Sequence, residues 1–344
     1  MDALMTAEHA IATPDIYAAR ARLGHQVRRT PLVSSPALGA HTAGEVFLKL
    51  ENQQQTGSFK LRGATNAVAN LTADQRARGV VTVSTGNHGR GLAFAARGAG
   101  VRCVVCMSSL VPKNKVDGIR AQGAEVRIVG NTQDDAQMEA DRLVAEDGLT
   151  LLPPFDHPHI IAGQGTLGLE MIEQCPEART VVIPTSGGGL ISGVATALKS
   201  VSPDIRVIGV SMDRGPAMYE SQKAGKPVPV DETATLADAL GGGIGLDNAH
   251  TFAMVRDLVD DILLVSELQI AEAVRHAYWE ERQIVEGSGA VGIAAMMLDK
   301  IAPPGPIVVV VTGGNIDMAL HHRIISGENV DVAAQFEPGG DPDA

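Results

Sequence analysis

Short apolar runs rich in valine and isoleucine alternate with helical patterns along the chain. Several runs are apolar at consecutive positions, which is typical of strands covered on both faces. Alternating strands and helices form βαβ units, so the pattern predicts an α/β fold with parallel sheet. The predicted strands are Val46–Leu50, Val80–Ser84, Val101–Met107, Glu125–Val129, Thr180–Pro184, Val207–Ser211, Ile262–Val265 and Ile307–Thr312. The predicted helices include Leu61–Leu71, Gly91–Gly98, Val116–Gln122, Asp135–Ala145, Leu190–Lys199 and Glu267–Arg282.

Length and charge narrow the class of protein. A chain of 344 residues with 44% apolar residues suits two globular domains. The net charge of −12 argues against a nucleic-acid or anionic-membrane partner. No stretch reaches the ~18 apolar residues of a membrane span, and the N-terminus lacks the pattern of a signal peptide. We therefore expect a cytoplasmic protein that acts on a small molecule, with no nucleic-acid or membrane partner.

Cys103 and Cys106 match the C-x-x-C pattern of a redox pair or half a metal site. The alternative is a buried strand, in which residues three apart face opposite sides. No second pair of ligands follows at a zinc-like spacing, so the strand is favoured.

Lys60 follows Thr56-Gly57-Ser58-Phe59 and precedes a helical run. Ser58 is the predicted N-cap, which puts Lys60 in the first helical turn. The field of a helix N-terminus repels a cation and lowers the pKa of the amine, as suits a lysine that bonds an aldehyde. An exposed surface lysine is the alternative.

Two further turns join a strand to a helix and are rich in small residues. Ser84-Thr85-Gly86-Asn87-His88-Gly89 presents N–H groups that suit a substrate carboxylate, and Asn87 could donate to a phenolate-like oxygen; plain capping is the alternative. Pro184–Leu190 contains Gly187-Gly188-Gly189, whose N–H groups could converge on a phosphate. A plain turn remains an alternative there, as does a dinucleotide site that uses Asp213 on the ribose.

Thr312-Gly313-Gly314-Asn315 ends the last apolar strand, and the Thr312 hydroxyl could bind a ring nitrogen. By itself this segment is more typical of a strand-end turn. The four segments together match the aldehyde, phosphate, phenolic oxygen and ring nitrogen of one ligand, pyridoxal phosphate (PLP).

From about Thr30 to Ile325 the chain resembles the threonine dehydratase and serine racemase family of fold type II PLP enzymes. The resemblance implies a tryptophan synthase β-subunit-like fold of two three-layer αβα domains with mainly parallel sheets. The large PLP-binding domain would comprise residues 1–78 and 157–330, the small substrate-closing domain 79–156, and a disordered tail 331–344. It also implies a homodimer or homotetramer. The segments that carry it are Ser58–Ala64, Ser84–Gly89, Ile161–Thr166, Ser186–Leu190, Glu286–Ala290 and Thr312–Asn315.

The resemblance also implies roles for single residues. Lys60 would bond the cofactor aldehyde and act as the catalytic residue, and Phe59 would pack near the ring. Asn87 would bind the 3′ oxygen, Thr312 the ring nitrogen, and Ser186, Gly187, Gly188, Gly189 and Leu190 the phosphate. The substrate-binding residues would be Ser84, Thr85, Gly86, Asn87 and His88.

Within the family the chain is most similar to dehydratases of hydroxyectoine utilisation, on the segments Thr85–Arg90, Cys103–Met107, Gly209–Gly215 and Gly241–Asn248. Ser211 stands where the family often has a cation-binding glutamate, so no metal is predicted. Thr85 replaces a serine of the racemases, which disfavours racemisation. Asp134 and Asp135 replace an arginine, and we hypothesise that they meet a distal ammonium of the substrate; helix-start acids are the alternative.

The predicted reaction is loss of water from a 3-hydroxy amino acid, possible substrates being hydroxydiaminobutyrate, threonine, serine and 3-hydroxyaspartate. Lys60 would take the Cα proton. Racemisation or β-replacement, a nicotinamide dehydrogenase and a non-catalytic PLP- or metabolite-binding protein are the rival functions.

Overall fold

The structure is a computed structural model that describes residues 11–332, except 43, 85, 110, 112, 299–300, 302–304 and the side chain of Asn114. The predicted tail lies outside the described residues from 333 onward. Its first residue, Asp331, is described and accepts a hydrogen bond of 3.0 Å from Arg214. In the described part of the chain, every helix is too short or too polar to span a bilayer.

The described strands form two sheets. They are β1 (Leu32–Ser34), β2 (Val46–Leu50), β3 (Val80–Val83), β4 (Cys103–Met107), β5 (Glu125–Ile128), β6 (Thr150–Leu151), β7 (Thr180–Pro184), β8 (Arg206–Met212), β9 (Asp261–Val265) and β10 (Ile307–Val311). The larger sheet has the order β1-β2-β10-β7-β8-β9, and the smaller has the order β5-β4-β3-β6. Only β1 is antiparallel among the described pairs.

Helices cover both faces of the sheets. They are α1 (Thr13–Leu23), α2 (Pro36–Gly39), α3 (Lys60–Ala69), α4 (Ala73–Arg78), α5 (Asn87–Ala99), α6 (Lys113–Arg120), α7 (Gln133–Asp147), α8 (Pro158–Gln174), α9 (Gly189–Val201), α10 (Ala217–Ala224), α11 (Thr251–Leu258), α12 (Glu267–Trp279), α13 (Gly287–Met297) and α14 (Met318–Ile325). Two 3-10 turns span Glu51–Gln53 and Asp238–Leu240.

Strand β10 shows why the layers form. All five of its residues are buried, and they alternate between two apolar clusters. Ile307, Val309 and Val311 pack in one cluster, while Val308 and Val310 pack in the other. A strand that is apolar at every position is therefore covered by helices on both faces, which confirms the predicted αβα layers.

The smaller sheet is inserted into the larger one along the chain. Strands β3 to β6 run from Val80 to Leu151, between β2 and β7, and pair only with one another among the described strands. This topology agrees with an inserted domain at residues 79–156, although the boundaries themselves stay a prediction.

The predicted strands all form, but two short strands and several helices were not predicted. Helix α13 has buried residues from Gly287 to Met296, so it has no polar face to give a helical period. Helix α8 was not predicted because its glycines are not typical of a helix interior. They allow close packing, since a Cβ on Gly163 would lie 2.7 Å from the Gly63 Cα. This close packing holds α3, which begins at Lys60, against α8.

The buried-strand interpretation of Cys103 and Cys106 is confirmed. Both thiols are free and buried within β4. Cys103 packs in one apolar cluster and Cys106 in another, on opposite faces of the smaller sheet. Burial raises the pKa of Cys103 to about 12 and that of Cys106 to about 11, so neither is poised as a thiolate.

Candidate active site

Several loops that follow strand ends meet around Lys60, as expected for ligand sites in open α/β sheets. The loops after β3, β7 and β10 line one inner cavity of about 160 Å³. It adjoins an outer cleft of about 620 Å³, and Lys60, Asn87 and Glu286 line both. The inner cavity is lined by all of the predicted cofactor-binding residues: Phe59, Lys60, Asn87, Ser186, Gly187, Gly188, Gly189, Leu190 and Thr312.

Lys60 is the first residue of α3. Its Nζ donates a hydrogen bond of 2.8 Å to Pro154 O and lies 5.3 Å from the centre of the Phe59 ring. It has no carboxylate partner among the described residues. Burial lowers the pKa of the amine to about 8. The predicted direction is confirmed, and burial is its cause.

The prediction that Ser58 caps this helix is wrong. Phe59 is the N-cap residue and makes no side-chain capping bond. Ser58 forms an isolated antiparallel bridge with Gly313, which holds its backbone outside the capping position. Its hydroxyl is buried without a hydrogen-bond partner in the described structure.

The glycine turn after β7 opens α9. Gly188 is the N-cap residue with a φ of 85°, a conformation that favours glycine. A Cβ on Gly187 would lie 2.4 Å from the Phe155 ring, so only glycine fits beneath that side chain. The first N–H groups of α9 have no partner within the helix and face the inner cavity, where they suit an anion.

Asn87 begins α5 and is held by side chains from the other end of the chain. Its Nδ2 donates a bond of 2.6 Å to Glu286 Oε1, and its Oδ1 accepts a bond of 2.6 Å from Asn315 Nδ2. Asn315 Oδ1 in turn accepts a bond of 2.9 Å from Arg90 Nη1. These contacts fix the orientation of the Asn87 amide in the inner cavity.

The other predicted substrate-binding residues line the outer cleft where they are described. Ser84 Oγ accepts hydrogen bonds from the N–H groups of Gly86 and Gly89, so it also caps the turn. His88 Nε2 is 3.0 Å from Leu152 O, and burial lowers the pKa of His88 to about 3. The His88 imidazole is therefore neutral, and it lines the cleft without adding a positive charge. Thr85 lies outside the described residues.

Thr312 lines the inner cavity, and its hydroxyl makes only one weak hydrogen bond among the described residues. It is buried, and its hydrogen bond to Ser288 O is long at 3.5 Å. A hydroxyl held so weakly can turn to an acceptor inside the cavity.

The hypothesis that Asp134 and Asp135 meet a substrate ammonium is not supported, because neither residue lines the inner cavity or the outer cleft. Asp135 closes a capping box with Thr132 at the start of α7. The helix-start alternative is the correct one for Asp135, because its carboxylate satisfies N–H groups of the first turn.

Residues 23–313 match the sequence profile of the family described as pyridoxal-phosphate dependent enzyme. The chain belongs to this family. The enzyme is 57% identical over 318 residues, 92% of its length and 96% of the relative, to a Sinorhizobium fredii protein whose name, threonine dehydratase, is provisional. It is 41% identical over 317 residues to the L-threonine ammonia-lyase of Thermotoga maritima, covering 92% of this chain and 78% of that one.

Solved structures agree with the family. Maize serine racemase superposes on the enzyme with a TM-score of 0.86 at 34% identity, covering 92% of this chain and 98% of that one. Threonine deaminase isoform 2 from Solanum lycopersicum gives a TM-score of 0.83 at 35% identity, with 91% of each chain covered. The fold type II architecture that we predicted is therefore confirmed.

The inner cavity fits the family cofactor. It offers an amine of lowered pKa at Lys60, a glycine cradle at the start of α9, and an amide and a hydroxyl at Asn87 and Thr312. Each of these groups matches a different group of PLP. No cluster of His, Cys, Asp or Glu that could hold a metal ion occurs among the described residues.

Sequence reasoning missed several residues of the site. Pro154 and Phe155 line the inner cavity from a segment without a predicted element, and Gly241 to Gly243 close another side. Glu286 is a buried residue that lines both the inner cavity and the outer cleft. Burial raises its pKa to about 7. A lone acid among small residues in Glu286–Ala290 was the available signal for this buried carboxyl.

Proposed function

We propose that this enzyme is an ammonia-lyase that converts a small 3-hydroxy amino acid to a keto acid and ammonia by loss of water. The observation that carries the proposal is the half-buried Lys60 amine, which has no carboxylate partner among the described residues and lies in a cavity whose other groups suit PLP. The names of the relatives from Thermotoga maritima and Solanum lycopersicum, an L-threonine ammonia-lyase and a threonine deaminase, support the same reaction.

Particular residues would hold the cofactor. Lys60 would bond its aldehyde, Asn87 would donate to its 3′ oxygen and Thr312 to its ring nitrogen. Ser186 to Leu190 would bind its phosphate through backbone N–H groups at the start of α9. When bound, PLP withdraws electrons from the Cα of an amino acid joined to it and so weakens the Cα–H bond.

The protein would supply the proton transfer and the orientation. Because the pKa of Lys60 is lowered to about 8, a substantial part of the amine is neutral near that pH and can accept the Cα proton. The turn from Ser84 to His88 would bind the substrate carboxylate with the first N–H groups of α5. The rings of Phe59 and Phe155 line the cavity and would shield a bound substrate from water.

Lys60→Ala tests the proposal directly. We expect keto acid release from threonine or serine to fall by about 10³-fold or more, because the base and the cofactor bond are both lost. Lys113→Ala is the matched control, since its side chain is 88% exposed outside both cavities. Turnover retained by Lys60→Ala would refute the assignment, and a purified protein without bound PLP would favour the dehydrogenase alternative.

A hydroxyectoine-derived substrate such as hydroxydiaminobutyrate is the second candidate. The segment resemblances support it, and so does an acid in the outer cleft, Glu232. Glu232 Oε1 lies 3.6 Å from the position of a Cβ on Gly242, and both residues line the cleft. A carboxylate there could pair with a distal ammonium, in the role that we first gave to Asp134 and Asp135.

A substrate panel separates the candidates. Keto acid should be measured from threonine, serine, 3-hydroxyaspartate and hydroxydiaminobutyrate, with kcat/KM for each. If the diamino substrate is preferred through Glu232, Glu232→Gln should lower its kcat/KM by about tenfold and leave that of threonine unchanged. Asp134→Asn, outside the cleft, serves as the control for the change of charge.

We also propose a cytoplasmic homodimer or homotetramer. The exposed side chains of Trp279 on α12 and Met318 on α14 support an assembly through this side of the large sheet. Light scattering of the purified enzyme tests the subunit number, and a monomer would contradict the proposal.

A further inference from the structure

The Asn87 amide belongs to a chain of hydrogen bonds whose direction is forced from one end. Arg90 can only donate, so the Asn315 atom that faces it must be the oxygen, at 2.9 Å from Nη1. Asn315 Nδ2 then faces Thr56 O at 2.9 Å and Asn87 Oδ1 at 2.6 Å. Because a backbone carbonyl can only accept, both ends agree on the orientation of Asn315.

Glu286 completes this chain at the other end. Its Oε1 accepts from Asn87 Nδ2 at 2.6 Å, and its Oε2 accepts from the Asn315 N–H at 3.2 Å. An ionised carboxylate is an acceptor at both oxygens, so it matches two donors at once. A glutamine in this position could accept only one of these bonds.

These constraints leave one group of Asn87 available. Its oxygen accepts from Asn315, and one Nδ2 proton goes to Glu286. Within the described residues the second Nδ2 proton has no acceptor, and Asn87 lines the inner cavity. An amide held in this orientation offers a donor to an oxygen in the cavity, whereas a flipped amide would offer its own oxygen.

We propose that Glu286 is a positioning residue, which acts through Asn87 by holding its amide so that the remaining N–H points to the cofactor oxygen. The proposal rests on the proposed function only in assuming that PLP occupies the inner cavity. It does not depend on which reaction the enzyme catalyses. Glu286 therefore acts on cofactor affinity first and on turnover second.

The ionised form of Glu286 is the form that accepts both bonds. Its pKa is raised to about 7, mainly by burial and also by the charge of Asp238 in the 3-10 turn, while the hydrogen bonds from Asn87 and Asn315 and the charge of Lys115 on α6 oppose this. Arg90 from α5 also interacts with its charge. Protonation as the pH falls below about 7 therefore removes an acceptor, and the hold on Asn87 weakens.

The test measures the affinity of the purified enzyme for added PLP, by absorbance titration after resolution of the holoenzyme. We expect Glu286→Gln to raise the dissociation constant by about tenfold, the equivalent of one lost hydrogen bond. Glu286→Asp keeps the charge but retracts it by about 1.5 Å, and should give a smaller increase. Glu281→Gln is the control, since Glu281 also accepts from two side chains, Ser35 and His276, outside both cavities.

A double-mutant cycle tests whether the effect passes through Asn87. If Glu286 acts only by orienting that amide, Glu286→Gln should add nothing to the affinity loss of Asn87→Ala. In the wild-type enzyme the affinity for PLP should also fall between pH 8 and pH 6, and this fall should be smaller in Glu286→Gln, in which only Lys60, with its pKa of about 8, still titrates.

Additive effects in the cycle, or an unchanged affinity and pH profile in Glu286→Gln, would overturn the proposal. If Glu286→Gln does not fold, the Glu286→Asp variant, alone and combined with Asn87→Ala, decides in the same way. A failure of the proposed reaction would appear as an absence of keto acid, while the affinities would still report on Glu286.

Discussion

Arg62 and Glu51 form a bidentate ion pair inside the protein, with Nε 2.8 Å from Oε2 and Nη2 2.8 Å from Oε1. Arg62 also donates to Glu170, whose Oε2 is paired with the buried Lys49. Since Arg62 lies in the first turn of α3, this network ties the helix that begins at Lys60 to the turn after β2 and to α8.

The ion pair predicts a large effect on stability. Arg62→Leu leaves Glu51 buried without its cationic partner, so we expect the free energy of unfolding to fall by about 3–5 kcal/mol. Arg323→Leu removes an exposed pair with Glu328 and should have a much smaller effect, because solvent screens that pair. Urea unfolding of the two variants gives the comparison, and equal losses would contradict it.

Lys60 should react at a lower pH than ordinary lysines in the cofactor-free protein. Its lowered pKa of about 8 makes half of the amine neutral at that pH. Exposed lysines of ordinary pKa are half neutral only at about pH 10.4. Competitive acetylation followed by mass spectrometry measures both. A half-maximal rate for Lys60 near pH 10 would show that the amine is not desolvated as the structure indicates.

Gly187→Ala should weaken cofactor binding. The new Cβ would lie 2.4 Å from the Cδ1 and Cγ atoms of Phe155, so the ring and the turn must shift at a cost of about 1–3 kcal/mol. We expect at least a fivefold loss of PLP affinity by titration. Gly98→Ala makes the same chemical change within α5, where a Cβ would meet nothing within 4 Å, and it should bind PLP like the wild type.

Glu286 should make stability depend on pH. Burial is the main cause that raises its pKa from 4.5 to about 7. Between these values the folded state holds more protons than the unfolded chain, so the free energy of unfolding falls as the pH rises through this window. Glu286→Gln cannot ionise and should lose this part of the slope. Unfolding at pH 5 and pH 7.5 checks this, and identical slopes for both proteins would count against a buried Glu286.

The residues that line the inner cavity could be singled out from the sequence because each is attached to a local pattern. Lys60 opens a helix, and Ser186 to Leu190 and Thr312 follow strands that are buried at every position. The small and polar residues of such loops are those that a tight turn and a helix start require. Parallel strands then bring these loops to the same edge of the sheet. Fold class and cofactor both follow from this.

The contacts between these loops depended on the tertiary structure. Asn87 and Glu286 are 199 residues apart, and Asn87 and Asn315 are 228 apart, so no local spacing links them. Asp135 caps helix α7 and does not reach the substrate cleft, because nearby backbone N–H groups bind its carboxylate. Ser58 pairs with Gly313 in a strand bridge and does not cap α3. Local patterns determine which groups stand at the sheet edge, while the packing of distant segments decides which hydrogen bonds and pKa values those groups acquire.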